Sequence, residues 1–580
     1  MNEKLLEPLK YYETEGKATH ERNINEYFDR LVARSGMNAE ENRSTVRKYR
    51  KENDNLQNLE KKSRSLKGWR TFLIILTVIG IILFAVSLAQ FSESAGTGAI
   101  LLVLGLTFTV GSLVLIFAKL NPKIKGLSGD ISVQTQKVQE LLNEAWGQMA
   151  SINELFDERD TITLMETTLP EINFEDTFTK EQEELFIKHY DFIDLESEEC
   201  SVTASLSGKF EGNPFLFCQC YMHELKEATY HGSLVITWTE TYKDSDGKIR
   251  TRRRTQTLTA SVTKPKPYYH FNNYLAFGSQ AAPNLTFSRA PQVQSNMNDK
   301  DIEKKVKKGE KQLKKRAQKA LVKGGTFQEM GNSEFDVLFG ATNRTNEVEF
   351  RLMYTPLAQK NTTELVRSKT GYGDDFYFTK HKRFNIITSN HSQNWDMSTS
   401  PSNYYSFDID VAKQNFLDFN MRFFKSVFFD FAPLLCVPAY LEEPCKSLET
   451  PEAFMSHYPY YEHEAVANSF DKAYFMPDRS IGDGILKTEL VQKRTSEDIV
   501  AVTANSYTTM EHVDYVPTLG GDGRMHGVPV RWTEYIPVSK TTNISVQGTG
   551  MSRKEFDRRK TGESTLTDCV LLHGLIGKIL

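Results

Sequence analysis

The sequence predicts a membrane α+β protein: N-terminal helices, one transmembrane helical hairpin with a coiled-coil-like stalk, then β-rich α+β soluble domains. Three observations predict it. Two long uncharged apolar runs lie close together, heptad-like spacing flanks them on both sides, and from about Glu171 the pattern changes to β-forming residues and turns.

The apolar runs are 71–89 and 99–118, each near the roughly 20 residues that cross a hydrocarbon core. Between them lies a short polar loop whose one charge is Glu93. Lys61, Lys62, Arg64, Lys67 and Arg70 precede the first run, and Lys119, Lys123 and Lys125 follow the second. The positive-inside rule therefore expects both termini in the cytoplasm and Glu93 outside. Sequons such as those at Asn284 and Asn343 then carry no meaning. Small residues mark the runs: Gly80, Ala85 and Ala89 in the first, Gly105 and Gly111 in the second, with Ala85 and Ala89 as a small-xxx-small pair. No ionisable residue sits inside either run, which argues for an anchor against a transporter.

The N-terminal 1–68 reads as helical and coiled-coil, with a polar break at Ser35-Gly36 and no secretory signal. Val46, Tyr49, Leu56 and Leu66 before the spans, and Leu127, Ile131, Val138, Leu141, Ala145 and Ile152 after them, recur at heptad-like intervals. The expected units are 1–68, the hairpin 69–120 and a stalk 121–170, with Pro122, Gly126 and Gly129 as interruptions. The two stalk helices pair with each other or each with its copy in a second subunit; spacing alone does not separate these.

Three further units are expected: a β-rich domain over 171–298, a basic helix over 299–325 and an α+β domain over 326–580. Within the first, Asp246-Gly247 signals a type I′ hairpin, and its return strand from Ile249 is expected to stop at Pro265 and Pro267. Cys218 and Cys220 are expected on opposite strand faces; six cysteines in 580 residues make no disulfide framework. The stretch from Phe335 to Ile387 reads as strands, and Asp408 to Tyr440 as a core helix plus a strand.

SGKFEGNPF (207–215), GSLVITWTE (232–240), LTASVTKPKPYY (258–269) and AAPNLTFSR (281–289) resemble a family of two-span membrane proteins from mycoplasmas and Gram-positive bacteria. SEFDVLF, RLMYTP and FYFTKHKRFNIIT further on are similar to a bacterial domain of unknown function found behind two transmembrane spans. The resemblance spans about residues 40 to 580. It implies the two-span topology and a bacterial origin, and it supplies no site residues.

Function is less legible. The net charge of -4 gives no global attraction to nucleic acid or anionic lipid. No nucleophile elbow, phosphate loop or zinc motif is present, so no catalytic set and no cofactor is implied. The local candidates are three. Lys304, Lys307, Lys308, Lys311, Lys314, Lys315, Arg316 and Lys319 surround a thin apolar stripe of Ile302, Val306, Leu313, Ala317 and Leu321. They read as a solvated helix or a contact with the anionic membrane surface; without interleaved aromatics, nucleic acid is disfavoured. His457, His463 and Glu464 are a metal candidate against an ordinary core edge. Arg250, Arg252 and Arg254 are an anion candidate against plain edge charges. Gly520-Gly521-Asp522-Gly523 and Gly482-Asp483-Gly484 read as turns. Thr237-Trp238-Thr239-Glu240 has an echo in Arg531-Trp532-Thr533-Glu534.

The expected role is a membrane-anchored scaffold or binding protein that engages a protein partner, itself or the lipid surface. The alternative is a membrane-tethered hydrolase with a site dispersed over His457, His463, Asp522 and His526.

Overall fold

The computed structural model describes residues 3–90, 95–193, 195–294, 296–393, 398–442, 457–482, 484–549, 551, 553–562, 566 and 568–580. Glu93, Asp483 and Cys445 lie outside the described residues. The chain divides into two compact units: residues 24–158 with 400–419, and residues 1–23, 159–399 and 420–580.

The first unit is helical. Helix Lys17–Ser35 ends at Gly36, whose φ of 65° gives the turn that a side chain would disfavour. Helix Ala39–Gln90 then runs for 52 residues, about 78 Å at 1.5 Å per residue. Helix Ala95–Val114 returns beside it and passes through a π-turn at Leu115–Leu120 into helix Asn121–Asn153. Pro122, Gly126 and Gly129 do not interrupt that last helix, contrary to expectation. Pro122 sits in its first turn, where the missing N–H costs nothing, and the π-turn absorbs the change of register upstream. The helix ends at Asn153, so the expected stalk to residue 170 is too long.

The stalk helices pair antiparallel within one chain. Gln134 donates to Glu52 Oε2 at 2.8 Å, Lys137 meets Glu52 at 2.9 Å, and Thr45 donates to Glu144 at 3.2 Å. The same pairing continues through the apolar runs. Thr77 Oγ1 and Ser112 Oγ are 2.7 Å apart, and a Cβ on Gly80 would lie 2.8 Å from the Thr109 amide nitrogen. A Cβ on Gly105 would lie 2.8 Å from the Phe84 nitrogen. Gly80 and Gly105 therefore set the close approach, not the expected Ala85, which is exposed; the Ala89 side chain is outside the described ones. Each run carries a helix long and apolar enough to cross a membrane, and only 17% of its most apolar stretch is buried, whereas a core helix would be mostly buried.

Among the described residues the second unit holds twelve strands, all paired antiparallel: β1 (Ile172–Glu175), β2 (Cys200–Phe210), β3 (Asn213–Lys243), β4 (Ile249–Gly278), β5 (Thr286–Arg289), β6 (Phe376–His381), β7 (Phe384–Ser389), β8 (Ile485–Lys493), β9 (Asp498–Leu519), β10 (Met525–Gly548), β11 (Cys569–Leu572) and β12 (Leu575–Ile579). One sheet has the order β1-β2-β3-β4-β7-β6-β5 and the other β11-β12-β10-β9-β8. Cys200, Cys218 and Cys220 share one core with Phe186, Leu216 and Phe384. Cys218 and Cys220 lie on the same face, as a strand period of two requires, and the opposite-face expectation is wrong.

Three more expectations are corrected. The return strand β4 runs through Pro265 and Pro267, which pair with Glu227 and Leu225. Asp244 donates to the Lys248 carbonyl, so in this register Pro265 and Pro267 fall in non-hydrogen-bonded pairs, their ring nitrogens face the open edge and no ladder bond is lost. The stretch from Phe335 is helical first: Ser333–Phe339, Glu347–Met353 and Pro356–Arg367, capped by Asn332, Asn346 and Thr355. The segment from Asp408 is one helix, Ile409–Leu435, with no strand, because Pro433 in its last turn ends it and a 3-10 turn at Pro438–Tyr440 follows.

Candidate functional site

The candidate site is a two-layered β arm. β2 pairs with β3 only as far as Met222, and β7 pairs with β4 only from Tyr274. Beyond these points β3 and β4 pair with each other alone out to Lys243 and Ile249, a ribbon of roughly 70 Å. β9 and β10 do the same beyond Asn505, for roughly 45 Å. Period-two alternation gives each ribbon two faces, and the inner faces pack together. Ile236, Leu258 and Val528 are buried between the ribbons with Leu234, Trp238 and Ala260. A Cβ on Gly232 would lie 2.1 Å from the Pro529 carbonyl oxygen, so only glycine lets the layers close there. Lys264 crosses the layers to Asp514 at 3.2 Å and to the Trp532 ring at 4.0 Å.

The outer faces differ in chemistry. That of β3–β4 is rich in hydroxyls, with Thr229 opposite Thr263, Ser233 opposite Thr259 and Thr237 opposite Thr255. That of β9–β10 is apolar toward its tip and carries Arg531, opposite Val513, and Glu511, opposite Thr533, further back. Leu519 is opposite Met525, and Tyr515 is opposite Pro529; Tyr515 is 71% exposed, Leu519 63% and Met525 62%. These side chains form an exposed apolar patch at the end of the projecting ribbon. At the root of the arm an open cavity of about 250 Å³ is lined by Glu199, His223, Asn505 and Tyr507, with His223 Nε2 2.8 Å from the Tyr507 hydroxyl. It is smaller than the roughly 300–1,000 Å³ that holds small-molecule ligands.

The expected anion set stands at the tip of β3–β4. Arg250, Arg252 and Arg254 share one face, but each already has a carboxylate. Arg250 meets Asp244 at 2.6 Å, and Arg252 and Arg254 both meet Glu240, at 2.8 and 2.9 Å. These are exposed cross-strand pairs rather than an anion cradle. The tip is not the expected type I′ turn, because of its central residues Gly247 alone has positive φ. Gly247 donates to the Asp244 carbonyl, and Gly523 donates in the same way to Gly520 in the other ribbon. Gly520–Gly523 is therefore a hairpin tip.

The metal set is not assembled. His457 Nδ1 and His463 Nε2 meet the two oxygens of Asp498, at 2.5 and 3.1 Å. Glu464 faces elsewhere, accepting from the Val202 amide at 2.7 Å and pairing with Lys487 at 2.6 Å. Glu462 accepts from the Phe178 amide and the Ser205 hydroxyl, each at 2.9 Å. No group of three metal-ligating side chains occurs among the described residues. Helix Tyr460–Asn468 is instead a buried polar clip. Glu462 and Glu464 fasten it to the first sheet, His463 to the start of β9 in the second, and Tyr461 and Val466 enter the two cores. Burial pushes the Glu462 carboxyl up to about 7, against the pull of its two donors, and leaves Oε2 buried without a partner.

The hydrolase set is likewise divided. His457 and His463 sit at Asp498, where β9 begins, whereas Asp522 and His526, 3.0 Å apart, follow its far end. Twenty residues of strand lie between, roughly 65 Å, far beyond hydrogen-bond reach.

The basic helix spans Asp299–Val322, capped by the Asn298 side chain. Ile302 and Leu313 are buried, and Gly309 packs directly on Val337. Lys304, Lys307, Lys308, Lys311, Lys314, Lys315, Arg316 and Lys319 lie on or flank its outer side, although Arg316 also stacks over Phe327 at 5.0 Å. Leu321 and Val322 end the helix 80% and 87% exposed, so the apolar stripe continues past the docked portion.

One cluster was not anticipated from the sequence. His391 stacks on Tyr372 at 3.8 Å, meets Asp375 at 2.6 Å and lies 3.6 Å from Asp430. Burial opposes its charge, but Asp430 and Asp375 outweigh burial and raise its pKa. Burial raises the Asp430 carboxyl to about 6. The hint available was Asp430 itself, a charge inside the aromatic run FFDF. Comparison with family models, curated proteins and solved structures found no match for this chain.

Proposed function

We propose that this chain is a membrane-anchored scaffold whose β arm captures a protein partner on the cytoplasmic side. The observation that carries the reading is the apolar outer face of β9–β10, with Tyr515, Leu519 and Met525 exposed at the end of a ribbon that projects from its sheet. A monomeric protein gains nothing by exposing such residues together. Two helices of spanning length and apolarity support the anchor. Trp69 and the cations from Lys61 to Arg70 and from Lys119 to Lys125 support the cytoplasmic orientation.

The test is photo-crosslinking in intact cells from a benzoylphenylalanine placed at Met525, compared with one at Thr259 on the hydroxyl face. A discrete protein adduct from Met525 alone, abolished by Leu519→Asp, is expected. Equal adducts from both positions, or none, would overturn the reading; an adduct of the chain with itself would make the partner a second copy.

A further inference from the structure

Where the stalk helices meet the spans they leave an open groove of about 570 Å³, bordered by Lys62, Ser65, Leu66, Lys123, Leu127 and Asp130. The antiparallel pairing places these residues together: Leu66 faces the level of Lys123, and Lys62 the level of Leu127. Gly126, between them, has open space where a Cβ would stand, which deepens the groove. Neither Lys62 nor Lys123 has an ion pair among the described residues. Two unpaired ammonium groups that border one open groove, about one helical turn apart in level, repel, and an anion between them relieves that repulsion.

Depth along the helices identifies the anion. Lys123 follows the end of the second run by five residues and Lys62 precedes the first by nine, roughly 8 and 13 Å at 1.5 Å per residue. The headgroup layer occupies roughly the 5–8 Å outside the hydrocarbon core, and a lysine side chain reaches into it from just beyond. Leu66 and Leu127 offer apolar walls on the same stretch, and Trp69 and Phe72 stack edge-to-face at the boundary, 5.8 Å apart. Asp130 lines the end furthest from the span, 12 residues past the second run and so roughly 18 Å from it, beyond the headgroup layer.

The geometry points to a binding site for one anionic phospholipid, its phosphate held between Lys62 and Lys123. The site rests on the two-span anchor proposed above. It differs from a general basic flank in holding one anionic lipid at one place.

The test uses the full chain in nanodiscs containing phosphatidylcholine and one-fifth phosphatidylglycerol, with benzoylphenylalanine at Ser65. Lipid adducts are identified by mass spectrometry. Phosphatidylglycerol is expected in the adduct on the order of tenfold above its share of the bilayer. That enrichment is expected to vanish in Lys62→Gln/Lys123→Gln and to persist in Lys51→Gln, which alters the same stalk outside the groove. Adducts that follow the bilayer composition would overturn the lipid site. Adducts displaced by 10 mM inorganic phosphate would assign the groove to free phosphate and overturn the lipid assignment. Alkaline carbonate extraction of native membranes is the separate control. A chain released by carbonate defeats the anchor itself, whereas a chain retained by carbonate without headgroup enrichment defeats this site alone.

Discussion

The two ribbons of the arm share a plan and differ in what surrounds them. Both end in a tip in which a glycine of positive φ donates back three residues, Gly247 to Asp244 and Gly523 to Gly520. Both carry a tryptophan on the inner face, Trp238 in β3 and Trp532 in β10. Yet the β3–β4 tip stands free and is built from Asp244, Ser245 and Asp246, whereas the β9–β10 tip opens on two glycines. The cause is contact. A Cβ on Gly520 would lie 2.7 Å from Ile236, and one on Gly521 2.9 Å from Trp238. The shorter ribbon lies on the flank of the longer one, so its tip must be bare. The difference teaches that the longer ribbon is the support and the shorter ribbon the layer that displays the apolar face.

That division is broken most directly at Gly232. Gly232→Val places a side chain against the Pro529 backbone, which cannot yield as a flexible side chain would. A loss of about 3 kcal/mol in the packing of the arm is expected. Hydrogen exchange should rise along β9–β10 beyond Asn505 and remain slow in the sheets at the root. Unchanged protection along the arm would show that the ribbons do not depend on each other.

The roots of the ribbons are held by the clip helix, and Glu462 makes that grip pH-dependent. Its carboxyl is pushed up to about 7 from an ordinary value of 4.5. Between those pH values the folded chain keeps a proton that the unfolded chain releases, so stability is fully present below about 4.5 and is lost as pH rises through 7. Glu462→Gln keeps an acceptor for Phe178 and Ser205 and removes the titration. The variant is expected to be more stable than wild type by up to about 3 kcal/mol at pH 8, with no gain at pH 4.5. Denaturant unfolding of the detergent-solubilised chain at the two pH values checks this. An equal loss at both would mean that the carboxyl is ionised in the fold.

Trp238 and Trp532 sharpen the comparison. Trp238 packs with Ile236 and Leu258 and covers the Gly521 backbone, whereas Trp532 stacks on His512 at 4.7 Å and lies under Lys264. Trp238→Ala is expected to cost about 2–3 kcal/mol and Trp532→Ala about half as much, because the first holds the two layers together through apolar burial and the second through a partly wet cation–π contact. Thermal unfolding followed by tryptophan fluorescence ranks them; the reverse order would make the polar crossing at Lys264 the stronger tie.

Much of this architecture was legible where one physical signal dominates. Uncharged runs of spanning length and heptad spacing located the two long apolar helices and their stalk, and glycine-containing turns located both hairpin tips. Reading failed where a short element has too few residues to show a period. The helices at Ser333–Phe339 and Glu347–Met353 last about two turns, and their alternation imitated strands although Asn332 and Asn346 were plain N-caps. Pro265 and Pro267 ended a strand on paper because sequence does not say which edge lacks a partner. The candidate sites failed for a related reason. His457 and His463 converge on Asp498 from 41 and 35 residues away, and Tyr372, His391 and Asp430 meet through three separate elements. Spacing along the chain carries no record of such meetings.

The smallest effect is expected at the free tip. Glu240 holds both Arg252 and Arg254, and all three side chains are about half exposed. Glu240→Gln removes the carboxylate that both guanidinium groups share, yet solvent screens the pairs and the ladder hydrogen bonds of the ribbon remain. The change in unfolding free energy is expected within about 0.5 kcal/mol, and the crosslinking yield from Met525 should not move. If the tip arginines served an anion rather than the ribbon, freeing them would instead raise the affinity of the chain for heparin or phosphate-bearing beads in low salt. A retention unchanged from wild type keeps the arginines as edge charges that discourage strand addition, and leaves the apolar face of the shorter ribbon as the proposed binding surface.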